Sequence, residues 1–150
     1  MGFRRAIVIS DRVDRDVIVS ALAYVKRNWE YVSLPVSNRH YRDRILFGTP
    51  ELTDYLFDDD TEYEFAVSHV FVIPDGITKL SAEFRGVTFA YVDADCFGGT
   101  CLYSGFTTVD GNVISRVEPD PKGHKKLLRG VGLRIWNHFA PFTRNYFSDG

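Results

Sequence analysis

Apolar and polar positions alternate most regularly between Val87 and Val117, V-T-F-A-Y-V-D-A-D-C-F-G-G-T-C-L-Y-S-G-F-T-T-V-D-G-N-V-I-S-R-V. From Val87 to Asp95, Phe89 and Tyr91 face one way and Ala90 and Val92 the other, which is the period of a strand. Phe97-Gly98-Gly99-Thr100 interrupts the pattern, and Leu102 to Val109 reads as the return strand. Asp110-Gly111 is a strong signal for a type I′ hairpin turn. Asn112 to Val117 completes a meander, and Glu118-Pro119-Asp120-Pro121 stops it.

Other segments carry other periods. Phe3 to Ile9 is a short apolar run suited to a buried strand. Ile18, Leu22, Val25 and Trp29 then recur at helical spacing and predict a helix from Val13 to Asn28, with Asp11 as its cap and Asp14 and Asp16 complementing the dipole. Tyr31 to Val36 fits a strand that Pro35 confines to an edge or an end, and the polar stretch from Ser37 to Arg44 reads as a loop. Thr49-Pro50-Glu51 has the chemistry of a helix start, with a short helix through about Phe57. Tyr63 to Ile73 alternates as a strand, and Pro74-Asp75-Gly76 is a turn signal. Ile77 to Arg85 fits a strand or a short helix, closed by Gly86. Leu127, Leu128, Val131, Ile135 and Phe139 form a helical stripe from about His124 to Phe139, weakened by Gly130 and Gly132.

These elements predict an α+β domain spanning residues 1–150. Its centre is an antiparallel β-meander sheet of about five to six strands, near the modal sheet size. The N-terminal and C-terminal helices pack on it.

Composition narrows the class. Of the 150 residues, 45% are hydrophobic, with Phe 12 and Tyr 8, enough bulky side chains to fill a core without staples. The net charge of -2 gives no global attraction to nucleic acid or to an anionic membrane. No run approaches the ~20 apolar residues of a membrane helix. The apolar run near the N-terminus is too short for a signal peptide, and Ala6 breaks the myristoylation pattern of a Met-Gly start. The expectation is a soluble cytoplasmic protein, whose two cysteines would ordinarily stay as thiols.

Candidate chemistry is sparse, and no catalytic signature is evident. Cys96 and Cys101 flank the first turn, where a hairpin would set them opposite each other and a disulfide could close. The simpler reading is a pair of small packed thiols. A metal centre would need two more ligands at recognisable spacing, so no metal or cofactor is expected. A Cys–His nucleophile pair would require His40, His69, His124 or His138 to approach in space. His69, on the apolar face of its strand, reads more simply as a core residue. Asp93 and Asp95 share one face of a strand running into the Gly-Gly loop. They could hold a cation or exchange protons, although two acids at a strand end are most simply solvated. Asp93, Asp95, Cys96 and Cys101 together form the alternative ligand site, that of a small enzyme or ligand-binding domain.

Charge is unevenly distributed. From Glu51 to Glu64 stand Glu51, Asp54, Asp58, Asp59, Asp60, Glu62 and Glu64 with no base among them. From Pro121 to Gly150 stand Lys122, Lys125, Lys126, Arg129, Arg134 and Arg144 against the single acid Asp149. An acidic patch speeds and orients encounter with a basic protein, which nominates Asp54, Asp58, Asp59, Asp60 and Glu62 as partner-binding residues. The basic segment is the rival, as a nucleic-acid site. It has few interleaved exposed aromatics, and the chain is acidic overall, which argues against nucleic acid.

Tyr91-Val92-Asp93-Ala94-Asp95-Cys96-Phe97-Gly98-Gly99-Thr100 resembles a strand-to-loop stretch of small bacterial immunity proteins of polymorphic toxin systems. There, an acidic residue and an aromatic precede Phe-Gly-Gly. Here Cys96 stands where an aromatic is usual. The motif reads as a structural turn, so no functional residue is carried over from it. The resemblance implies a cytoplasmic protein that neutralises a cognate toxin by binding it. The leading expectation is therefore a non-enzymatic protein-binding module whose partner is a basic toxin domain.

Overall fold

The computed structural model describes residues 2–11, 13–28, 36–37, 45–48, 52–53, 75–97, 100–132 and 148–149. The fold is α+β and is organised on an antiparallel sheet. Four long strands carry it: β1 (Gly2–Ser10), β5 (Phe89–Phe97), β6 (Thr100–Val109) and β7 (Asn112–Asp120). Among the described residues the long strands number four, against the five to six expected. Short ladders add to it, with β3 (Ile45–Gly48) and β4 (Leu52–Thr53) both lying antiparallel to β1. β2 (Val36–Ser37) pairs with β8 (Ser148–Asp149) in a separate two-stranded ladder.

The meander from β5 to β7 runs in the predicted order, and β1 flanks it on the far side of β5. β1 and β5 pair without a break from Gly2 opposite Phe97 to Ser10 opposite Phe89. The turn between β6 and β7 is Asp110-Gly111, with φ of 51° and 80°. Both residues are left-handed, as a type I′ turn requires. β7 continues through Pro119 to Asp120, past the expected stop at Val117, and its pairing with β6 is twice interrupted by register shifts.

Helices cover both faces of the sheet. On one side lie α1 (Arg15–Asn28) and α2, residues 75–83. Ala21, Val25, Ile77 and Leu80 from these helices pack with Ala6, Val8, Phe89, Tyr91 and Phe106. On the other side lies α3 (Gly123–Gly130). Leu127, Leu128 and the following Val131 pack there with Ile7, Ile9, Ala90, Val92, Ala94 and Tyr103. Period-2 alternation along β1 and β5 thus sends apolar side chains into two cores, and each fully buried Leu or Ile contributes roughly 1.5–3 kcal/mol. Across the first core, Tyr91 and Phe106 are cross-strand partners with rings stacked at 5.2 Å. Arg116 places its guanidinium 5.9 Å from the Phe106 ring centre.

Several local expectations yield to tertiary contacts. Asp11 does not cap α1. Its N–H donates to the Thr88 carbonyl, and its carboxylate accepts from the Thr88 N–H, so it ties the end of β1 to the entry of β5. The first turn of α1 closes instead on the Asp14 carbonyl, which accepts from the N–H groups of Val17 and Ile18. Leu52 and Thr53, expected in a helix begun by Thr49-Pro50, are extended against Arg4 and Phe3. Residues 77–83 are helical, and Gly86 leaves that segment at φ 81°. α3 is shorter than the expected helix from His124 to Phe139. It ends at Gly130, where Gly132 adopts φ 78° and donates its N–H to the Arg129 carbonyl. Gly132 is therefore the helix stop and not a weak point inside a longer helix. The expected strand from Tyr63 to Ile73 and the expected loop residues 38–44 lie outside the described residues.

Candidate functional site

The sequence pointed to two places: the acidic run and the Cys96–Cys101 end of the sheet. Asp54, Asp58, Asp59, Asp60 and Glu62 all lie outside the described residues, as do His40, His69 and His138. The end of the β5–β6 hairpin is described in detail.

Register decides what meets there. Asp93 stands opposite Ala6 on β1 and Ser104 on β6, and Asp95 stands opposite Leu102. Ala6 belongs to the core under α1 and α2, as does Tyr91, two residues before Asp93. Asp93 and Asp95 therefore share that face. They differ in surroundings, since Asp93 is buried and Asp95 is exposed.

Cys96 is the direct cross-strand partner of Cys101, with Cα atoms 4.0 Å apart, and their sulfurs are bonded. The expectation of two packed thiols is thereby corrected. Antiparallel pairing brings the cysteines to the short separation a bridge needs. Cys101 packs against the core under α3. Alternation thus puts the two aspartates on one side of the sheet and the two sulfurs on the other. The four residues of the alternative ligand site are neighbours in sequence that the sheet itself separates. Neither sulfur is a free thiol able to act as a nucleophile. Among the described residues, no group of three His, Cys, Asp or Glu side chains is placed to hold a metal ion.

On the α3 side the structure brings together a pair that sequence reasoning did not foresee. His124, in the first turn of α3, lies with its ring 4.1 Å from that of Tyr103. Both are buried. Burial lowers the His124 imidazole to about 4, with the neighbouring Lys125 charge acting in the same direction. Burial likewise pushes the Tyr103 phenol well above its ordinary value. At neutral pH both rings are uncharged. Gly123 makes the approach possible, because a Cβ there would stand 2.1 Å from the Tyr103 carbonyl oxygen. Nothing local in the sequence could have announced this contact, which joins β6 to α3 through tertiary packing.

The outward side of α3 is basic. Lys122, Lys126 and Arg129 are exposed and Lys125 is half-buried, whereas His124, Leu127 and Leu128 point inward. Just ahead of the helix, the Asp120 carboxylate accepts from the Lys122 N–H. Among the described residues, no helix is long and apolar enough to cross a membrane. The chain matches no family model, no curated protein and no solved structure.

Proposed function

We propose that this chain is a non-enzymatic protein-binding module, an immunity protein that binds and neutralises a cognate bacterial toxin in the cytoplasm. The observation that carries the reading is the run from Glu51 to Glu64, which holds seven acids and no base. Such a run attracts and orients a basic surface over distances comparable with the Debye length, about 8 Å at physiological salt. Two further observations support it. The described hairpin end separates its reactive-looking residues onto opposite faces of a sheet. Its sulfurs are consumed in a bond.

The contact residues in this reading are Asp54, Asp58, Asp59, Asp60 and Glu62, each paired with a Lys or Arg of the partner. Capture from the native host identifies the partner, and a basic toxin domain is the expected catch. Reversing Asp58, Asp59 and Asp60 to Lys, singly and together, should then weaken binding stepwise and flatten its dependence on salt. An affinity and salt slope unchanged in the triple variant would remove this patch as the binding surface.

A further inference from the structure

The bond between Cys96 and Cys101 enters the reading above only as a pair of thiols already joined, and its surroundings suit a second role. We infer that it is a redox latch: a dithiol opens it without unfolding the domain, and opening loosens the seat of α3.

The placement of the bridge supports reversibility. It joins residues only five apart in the chain. A loop that short removes less entropy from the denatured chain than a long one, about 2 kcal/mol, so the fold is expected to survive without the bond. The two strands keep their own ladder, paired from Phe89 opposite Thr108 to Phe97 opposite Thr100. Cys101 is half-buried and Cys96 buried, so Cys101 is the more accessible of the two residues and the one an incoming thiol meets first.

The reaction is thiol–disulfide exchange. A thiolate of the dithiol attacks Cys101 Sγ, the sulfur–sulfur bond breaks, and Cys96 leaves as a thiolate and takes up a proton. The second thiol of the reductant attacks the mixed disulfide and expels Cys101, which is protonated in turn. The reductant departs as its own disulfide, having supplied both electrons.

The consequence follows from packing. Two thiols need more room than one bonded pair, because non-bonded sulfurs cannot sit at bonding distance. Register holds the two backbones opposite each other, and interiors have little free volume. Displacement falls on the α3-side core, where Cys101 touches the cluster containing Tyr103 and Leu127. Gly123 and His124 rest on Tyr103 there, with no space for even one added carbon at Gly123. A helix of eight residues has no independent stability and follows its seat.

The test compares the full chain oxidised and after anaerobic treatment with dithiothreitol. Thiol alkylation read by mass reports the redox state, and amide hydrogen exchange reports local opening. The expected result is full reduction under native conditions with cooperative thermal unfolding retained. Exchange at residues 100–104 and 123–127 should quicken by at least about tenfold, with α1 and α2 changing by less than about twofold. The double variant Cys96→Ala/Cys101→Ala should keep cooperative unfolding and give the same exchange with and without dithiothreitol. Resistance to excess dithiol, loss of cooperative unfolding on reduction, or faster exchange spread evenly over the sheet would each overturn the latch.

Discussion

His124 should make this fold sensitive to acid. Its imidazole is buried against Tyr103 and stays neutral down to about pH 4, while in the unfolded chain it titrates near 6.5. The sign follows from proton binding. Between those two values the unfolded chain holds a proton that the folded chain does not, so stability falls as pH falls. The contribution is intact above 6.5 and fully lost below about 4. Each unit of pH in that window costs about 1.4 kcal/mol, so the loss by pH 5 is about 2 kcal/mol. That is a sizeable part of the 5–15 kcal/mol that usually holds a domain together. Any acid response that does not involve His124 is common to both proteins, so the measurement is a difference. His124→Phe keeps a ring against Tyr103 and removes the titration. Urea unfolding of both proteins at pH 7.5 and pH 5 should show the natural chain losing about 2 kcal/mol more than the variant. An NMR titration of the His124 ring should show no protonation above pH 5. An equal acid response in both proteins, or a ring that titrates near 6.5, would refute the reasoning.

Two further substitutions probe the scaffold. Gly105 sits at φ 152° with the position of a Cβ only 1.9 Å from the Tyr91 carbonyl oxygen, so Gly105→Ala should push β6 from β5 and cost about 3 kcal/mol or more in urea unfolding. A variant as stable as the natural chain would contradict the close approach. Asp110 holds φ 51° and accepts from the Gly86 N–H, while Gly111 donates to the Ser81 hydroxyl, so the hairpin turn is fastened to the end of α2. Asp110→Ala should cost about 1–2 kcal/mol through the lost acceptor and the left-handed backbone, and Asp110→Asn should restore most of it. Equal losses in the two variants would show that the acceptor and the tolerance of the left-handed region are not what the turn requires.

Local chemistry along the chain specified the meander. β5, β6 and β7 were legible because alternation has a period no helix shares, and because Asp110-Gly111 suits one kind of turn. The same alternation assigned Phe89 and Tyr91 to one face and Ala90 and Val92 to the other, where the two cores now lie. The body of α1 was legible from the spacing of Ile18, Leu22 and Val25. Helix ends and short elements were not, because several local solutions have nearly equal energy and distant contacts choose among them. Asp11 had the chemistry of a cap, yet its N–H and its carboxylate bond to Thr88 on the sheet. Gly132 stops α3, although its residue type alone allowed a place inside a helix. Leu52 and Thr53 followed a helix-start signal in sequence and a strand partner in space. At the hairpin end, sequence supplied the four candidate residues and the possibility of a bridge. Only pairing in three dimensions joined the two sulfurs and set them across the sheet from the two carboxylates. The Tyr103–His124 contact belongs wholly to tertiary structure, because its members lie on different elements and meet only when α3 settles on the sheet.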